Sequence, residues 1–257
     1  MQLVDVIDLV KNPISDAEFR AKCQATLEHD GAIVIENFIT PKALESIRQE
    51  GEAKQELAFY TKQQHNIYIS DADPDFPPDH IRNKLVNSSK GCINDEQIAA
   101  DSPLRTLYDS EEFRDFLQDI LDEQGLYSYA DQYSSINLHY ASAGQELGWH
   151  FDNSSFATTL LIQKPAAGGE FQYVRDVRDA DRGEMNFADV EKVLAGDIKP
   201  DVLTIEPGAL VLFRGRNAIH RVTPTQGDIT RMMVVLAYNN RPGVALSASA
   251  RKTFYGK

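Results

Sequence analysis

A mainly β fold with flanking α-helices is what this sequence predicts, and three observations carry the prediction. The first third reads as helix, strand, helix. After residue 127, short apolar segments separated by turn residues take over. The chain has 257 residues, of which 42% are hydrophobic and 25% charged, enough for a sizeable core in one large domain or a barrel with helical additions.

Ser15 and Glu18 have capping-box spacing and predict a helix to about Glu28. "GAIVIENF" (31–38) is apolar and β-branched and predicts a strand. Thr40 followed by Pro41 has the pattern of an N-cap with proline at the first helical position. A helix from there to about Phe59 is expected, with Leu44, Ile47 and Leu57 on one side. "DADPDFPPDH" (71–80) holds three prolines and four aspartates and predicts a loop. The polar "NKLVNSSKG" (83–91) reads as a surface loop or a lid. Ser102-Pro103 and Ser110 open further helices, and Gly125 is expected to end them. Beyond 127, strands are expected at 133–140, 157–163, 169–174, 202–205, 209–213 and 232–239. A short helix, "FADVEKVLAG", closed by Gly196, interrupts them. Such strands suit a sandwich or barrel. Without repeat, low-complexity tract or linker, one domain over 1–257 is expected, mostly helical at 1–126 and β-rich at 127–243.

The formal net charge is −13, from 26 basic and 39 acidic side chains. Such a surface repels phosphate backbones and anionic membranes, so neither nucleic acid nor a membrane is an expected partner. Two cysteines, Cys23 and Cys92, form no C-x-x-C pair, and a reducing, cytoplasmic setting is the simplest expectation. "MQLVDVIDLVKN" lacks the basic start of a secretory signal, and no apolar run reaches the ~18 residues of a membrane span.

Chemistry concentrates in "GWHFDNSS" (148–155), where His150 and Asp152 stand two apart beside the single tryptophan, Trp149. On a strand they share a face while Phe151 points away. An imidazole and a carboxylate can then converge on one ion, and a third ligand must come from elsewhere. Downstream, His220 in "FRGRNAIHRVTP" is the one remaining histidine. Two histidines and a carboxylate compose the facial triad of non-haem Fe(II) oxygenases, which leaves coordination positions open. Each element alone has an ordinary reading: a turn, or a packed histidine. Arg231 enters the apolar strand "MMVVLAYNN" eleven residues after His220. A buried arginine needs an anionic partner, and its fork suits a carboxylate.

The whole of "INLHYASAGQELGWHFD", with the later histidine and arginine, resembles the Fe(II)/2-oxoglutarate-dependent oxygenase superfamily. "GGEFQYV" and "PGALVLFRGRNAIHRVTP" are similar to the branch with small free-amino-acid hydroxylases and radical halogenases. The resemblance covers about residues 130 to 243 and implies a double-stranded β-helix (jelly roll) core. It puts the metal ligands on His150, Asp152 and His220, the cosubstrate arginine on Arg231, and a cosubstrate-pocket tyrosine on Tyr140. Fe(II), 2-oxoglutarate and O2 are the implied cofactors. Implied too is hydroxylation of a small molecule, a free amino acid or derivative, with succinate and CO2 as coproducts. Radical halogenases have glycine or alanine where this chain has Asp152, so hydroxylation is favoured. Desaturation, cyclisation, halogenation and a non-catalytic jelly-roll binding module are the alternatives. A cupin-type enzyme lacks its His-x-His here, and a zinc hydrolase leaves Arg231 without a role.

With Tyr140 facing the pocket, Leu138 and Ile136 would share its side, and His139 and Asn137 would face the helices as structural residues. Trp149 is expected to pack. Asn153, Ser154 and Ser155 would touch substrate or form an Asx-type turn. His29, His65 and His80 lie outside the β region.

Overall fold

Antiparallel pairing joins eleven strands into one sheet in the computed structural model, which describes residues 1–257, the side chain of Ser249 excepted. The N-terminal part runs α1 (Leu3–Val6), α2 (Ala17–Asp30), β1 (Ala32–Ile35), α3 (Pro41–Lys54), β2 (Phe59–Asn66), β3 (Leu85–Ile93), α4 (Pro103–Tyr108) and α5 (Glu111–Leu121). Next come β4 (Ile136–Ala141), β5 (Leu147–His150), β6 (Ala157–Gln163), β7 (Ala167–Gly168), β8 (Phe171–Val174), α6 (Phe187–Ala195) and β9 (Asp201–Leu203). The chain closes with β10 (Leu210–Phe213), β11 (Ile219–Val222), β12 (Thr225–Gln226), β13 (Arg231–Leu236) and α7 (Ala248–Tyr255).

The sheet order is β1-β10-β6-β13-β4-β3-β5-β11-β8-β9, with β2 added to β3, while β7 and β12 pair separately. Strands near opposite ends of that order meet in space. Phe171 of β8 and Phe213 of β10 lie edge to face with ring centroids 4.9 Å apart, and Tyr173 approaches Phe213 at 5.5 Å. The sheet is therefore curled on itself, as in a jelly roll, with an inner and an outer face.

Alternation sorts the residues between those faces. Leu138, Tyr140, Met232, Val234, Leu160 and Leu210 join Ile47 of α3 and Phe113 and Phe116 of α5 in the core between sheet and helices. Their strand neighbours Leu161, Val211 and Met233 form a separate inner cluster. On α5, buried Phe113, Phe116, Leu117 and Ile120 follow the i, i+3, i+4, i+7 stripe of an amphipathic helix. Each contributes about 1.5–3 kcal/mol by burial, so this one face anchors the helical layer.

Several boundaries differ from expectation. Asp16, not Ser15, caps α2 by accepting from the Phe19 amide, and the Ser15 hydroxyl bonds Glu112 of α5 instead. Ser110 does cap α5, but the helix ends at Asp122 in a left-handed conformation, before Gly125. Leu57 lies past the end of α3 and is exposed, so it does not share the buried side of Ile47. The largest correction concerns 83–91. This stretch is neither a surface loop nor a lid: most of it is β3, paired along its length with a polar edge strand, β2. Both cysteines are free and buried, and no helix among the described residues is long and apolar enough to cross a membrane.

Candidate metal centre and its cavity

β5 and β11 are antiparallel neighbours, and their register sets His150 directly opposite His220. That pairing alone brings the two imidazole centroids to 4.1 Å. Asp152 lies just beyond the end of β5, where its amide donates to the Gly215 carbonyl at 3.1 Å. Its Oδ1 stands 3.8 Å from His150 Nε2 and 3.6 Å from His220 Nε2. The three donor atoms lie within 4.8 Å of one another. For metal–ligand bonds of about 2.0–2.2 Å, a common ion requires donors roughly 3–4 Å apart, so little adjustment is needed.

The backbone fixes how the rings present themselves. His150 Nδ1 bonds the Gly148 carbonyl at 2.7 Å, and His220 Nδ1 bonds the Ala218 carbonyl at 3.0 Å. A carbonyl only accepts, so both protons sit on Nδ1 and both Nε2 lone pairs face the centre. Burial, with His220 beside it, pushes the His150 imidazole down to about 3, which keeps it a neutral ligand. Burial would raise the Asp152 carboxyl, but its neighbours, His220 foremost, then His150 and Arg178, outweigh it and hold it below the ordinary range. The carboxylate rests against Gly215, where a Cβ would meet Oδ2 at 1.9 Å. Two neutral imidazoles and a seated carboxylate fit Fe(II).

The triad opens on a cavity of about 310 Å³ inside the barrel, which Arg231, His139 and Lys90 also line. Arg231 pairs with Ala141 of β4 and is only 8% exposed. Burial pulls its pKa down to about 10, and no carboxylate among the described residues forms an ion pair with it. Gly169 makes room for its stem, since a Cβ there would meet Arg231 Cδ at 3.0 Å.

A model of the Halogenase D (HalD) family matches residues 15–253. The chain belongs to the Halogenase D family. Solved structures agree on the fold of this family member. The carbocyclase SnoK of nogalamycin biosynthesis, described as non-haem and α-ketoglutarate dependent, matches with a TM-score of 0.60 at 13% identity, over 90% of this chain and 89% of its own. AviO1 from Streptomyces viridochromogenes Tue57 gives 0.56 at 14%, over 89% and 97%. An oxidoreductase of the 2OG-Fe(II) oxygenase family from Burkholderia pseudomallei gives 0.55 at 14%, over 88% and 92%. None of the curated proteins matches. This Halogenase D member thus shares the fold of structures described as 2OG-Fe(II) or α-ketoglutarate-dependent enzymes, and His150, Asp152 and His220 form a donor set that could hold a metal ion.

In this Halogenase D member the expected parity of β4 is reversed. Tyr140 adjoins the cavity, but its hydroxyl donates to the Gly51 carbonyl of α3 at 2.7 Å, and Leu138 and Met232 lie beside it there. Its side chain is therefore turned toward the helices, not the cosubstrate pocket. His139, expected among the helices, lines the cavity instead and contacts Lys90 of β3. Neither Lys90 nor this role of His139 was visible in the sequence, because the segment carrying Lys90 did not read as a strand.

The remaining residues divide cleanly. Trp149 packs in a second core cluster, under the Arg221 guanidinium at 4.6 Å. Phe151 stacks on Tyr68 at 5.6 Å, away from the ligands. Asn153, Ser154 and Ser155 are exposed, and Ser154 reaches the cavity. His65 meets the His150 ring edge-on at 6.0 Å and bonds Ser88. His80 stacks on Phe76, and His29 pairs with Asp30 on the surface.

Proposed function

We propose that this protein hydroxylates a C–H bond of a small molecule, a free amino acid or a close derivative, while 2-oxoglutarate leaves as succinate and carbon dioxide. In a family named for a halogenase, the observation that supports hydroxylation is Asp152. Its carboxylate stands 3.6 and 3.8 Å from the two imidazole Nε2 atoms and is seated on a glycine. A halide at the metal needs that position empty and needs the charge this carboxylate neutralises. The protein's own carboxylate fills that position and cancels that charge.

The roles follow from placement. His150 and His220 would hold Fe(II) through Nε2 and Asp152 through Oδ1, leaving the cavity side of an octahedral ion open. Arg231, a buried fork without an acidic partner, would take the far carboxylate of 2-oxoglutarate bidentately. Bound there, Fe(II) supplies activation of O2 coupled to oxidative decarboxylation of 2-oxoglutarate. The chain's own contribution is orientation and exclusion of water by an apolar wall that includes Phe171, Val211 and Phe213. A cavity of about 310 Å³ sits at the lower end of the range for small ligands, which supports a small guest beside the cosubstrate.

The test is a panel of free amino acids supplied with Fe(II), 2-oxoglutarate and O2, read by succinate release and product mass. One member should stimulate succinate formation and gain one oxygen atom, even in excess chloride. A chlorinated major product would overturn the hydroxylase reading.

A further inference from the structure

A second cation lies inside the barrel and, among the described residues, forms no ion pair with a carboxylate. On β3, Cys92 pairs with His139 and Gly91 with Tyr140, which faces the helices. Continuing that register by one residue sets Lys90 opposite Ala141, and Ala141 pairs in turn with Arg231. Lys90, Ala141 and Arg231 thus form one inward-facing row across β3, β4 and β13, with only a methyl group between the two cations.

The Lys90 ammonium contacts the His139 ring, 3.3 Å from both Nδ1 and Nε2. A neutral imidazole offers one acceptor nitrogen, so His139 can take one of the three N–H donors of the ammonium and leaves two to place. Lys90 is half-buried, and it lines both this cavity and an adjoining one beside Asn137 and Tyr255. Burial lowers its pKa, while Cys92 and Asp152 oppose that. Only burial acts on Arg231. In the sheet order β13-β4-β3-β5-β11, Lys90 on β3 adjoins β5, the strand of His150, and Arg231 on β13 lies two strands farther off, so Lys90 stands at the metal end of the row and Arg231 at the far end. An ammonium partly withdrawn from water without an acidic partner is costly, and one that lines a ligand cavity calls for an anion.

We infer that Lys90 is a cosubstrate-binding residue whose ammonium takes the carboxylate that 2-oxoglutarate places beside the metal, while Arg231 takes the far one. A dianion would then meet two cations spaced along its own length, and His139 steadies the nearer. The inference rests on the cosubstrate reading of Arg231.

The experiment measures binding by calorimetry to the Mn(II)-loaded protein, without substrate. Two acids are compared: 2-oxoglutarate, and 2-oxopentanoate, which has a methyl group in place of the far carboxylate. Lys90→Met keeps the stem and removes the charge. It should weaken both acids about ten- to a hundredfold, the loss expected for a charge-assisted bond. Arg231→Leu should weaken 2-oxoglutarate alone. The apo Lys90→Met protein should melt no lower than wild type, because an unpaired, partly buried charge has gone. Unchanged binding of both acids in Lys90→Met, or a loss confined to 2-oxoglutarate, overturns the assignment. So does a lowered apo melting temperature, which would make Lys90 a structural residue. Failure of Arg231→Leu to separate the two acids would instead count against the cosubstrate reading itself.

Discussion

Replacing Gly215 with alanine should dislodge a metal ligand without altering one. The Gly215 carbonyl accepts the Asp152 amide at 3.1 Å, which draws the two segments together. A Cβ at 215 would lie 1.9 Å from Asp152 Oδ2 and 2.6 Å from its Cγ. Gly215 is not among the positive-φ glycines, so alanine is conformationally acceptable and the damage is purely steric. Non-bonded heavy atoms attract only near ~3.5 Å, so the carboxylate must retreat by roughly 1.5 Å or the loop must open. Metal sites tolerate ligand errors of only about 0.2 Å, and a displacement of ~1 Å can cost about a hundredfold. Mn(II) affinity of the apo protein, measured by calorimetry, should therefore fall about a hundredfold. Apo stability should fall by the ~1–3 kcal/mol typical of overpacking. Asp152→Gly removes the atoms that the new methyl group meets. The double variant Gly215→Ala/Asp152→Gly should accordingly be as stable as Asp152→Gly alone, a coupling that a double-mutant cycle reads directly. Wild-type metal affinity in Gly215→Ala, or simple additivity in the cycle, would refute the reasoning.

Two further outcomes follow from buried charge. Arg231→Leu should raise the 2-oxoglutarate concentration for half-saturation about a hundredfold, and Arg231→Lys should recover only part of it, since an ammonium lacks the bidentate fork; an unchanged requirement would place the far carboxylate elsewhere. His139 is held well below its ordinary value by burial and by Lys90 and Arg231, and His150 by burial and His220 to about 3. The unfolded chain takes up protons near pH 6.5 that the folded apo protein refuses, so stability is full above about 6.5 and falls as pH drops toward the folded values. The slope reaches ~1.4 kcal/mol per pH unit for each histidine, and His139→Gln should remove about half of it in urea midpoints between pH 6.5 and 5; a wild-type slope in that variant would sink the assignment.

The legible parts of the molecule were those where one face is apolar. The helix capped at Ser110, the helix closed by Gly196 and the strand entered by Arg231 all set apolar residues against polar punctuation. Ligand spacing was legible for the same kind of reason. His150 and Asp152 share a side because a residue between them, Phe151, is committed to a core. The pairing of His150 with His220 was not legible, since nothing in either segment specifies its register partner.

What escaped the sequence escaped it for one physical reason. β3 presents Ser88 and Lys90 to the inside of the barrel, and β2, its polar edge partner, exposes Tyr60 and Lys62. A strand whose inner face supplies polar side chains to a ligand cavity shows no apolar alternation, so it reads as a loop. The same cause inverted β4. There the large aromatic Tyr140 belongs to the helix-facing core, while the smaller, titratable His139 faces the cavity. Taking the aromatic residue for the pocket residue follows from the resemblance, whereas the packing follows from volume: Tyr140 reaches the Gly51 carbonyl at 2.7 Å, and Leu138 and Met232 close in where a Cβ at 51 would meet them at 2.8 and 2.9 Å. Hydrophobic patterning therefore located the walls of this barrel, and the cavity-facing residues it missed, Lys90 and His139, are the polar ones.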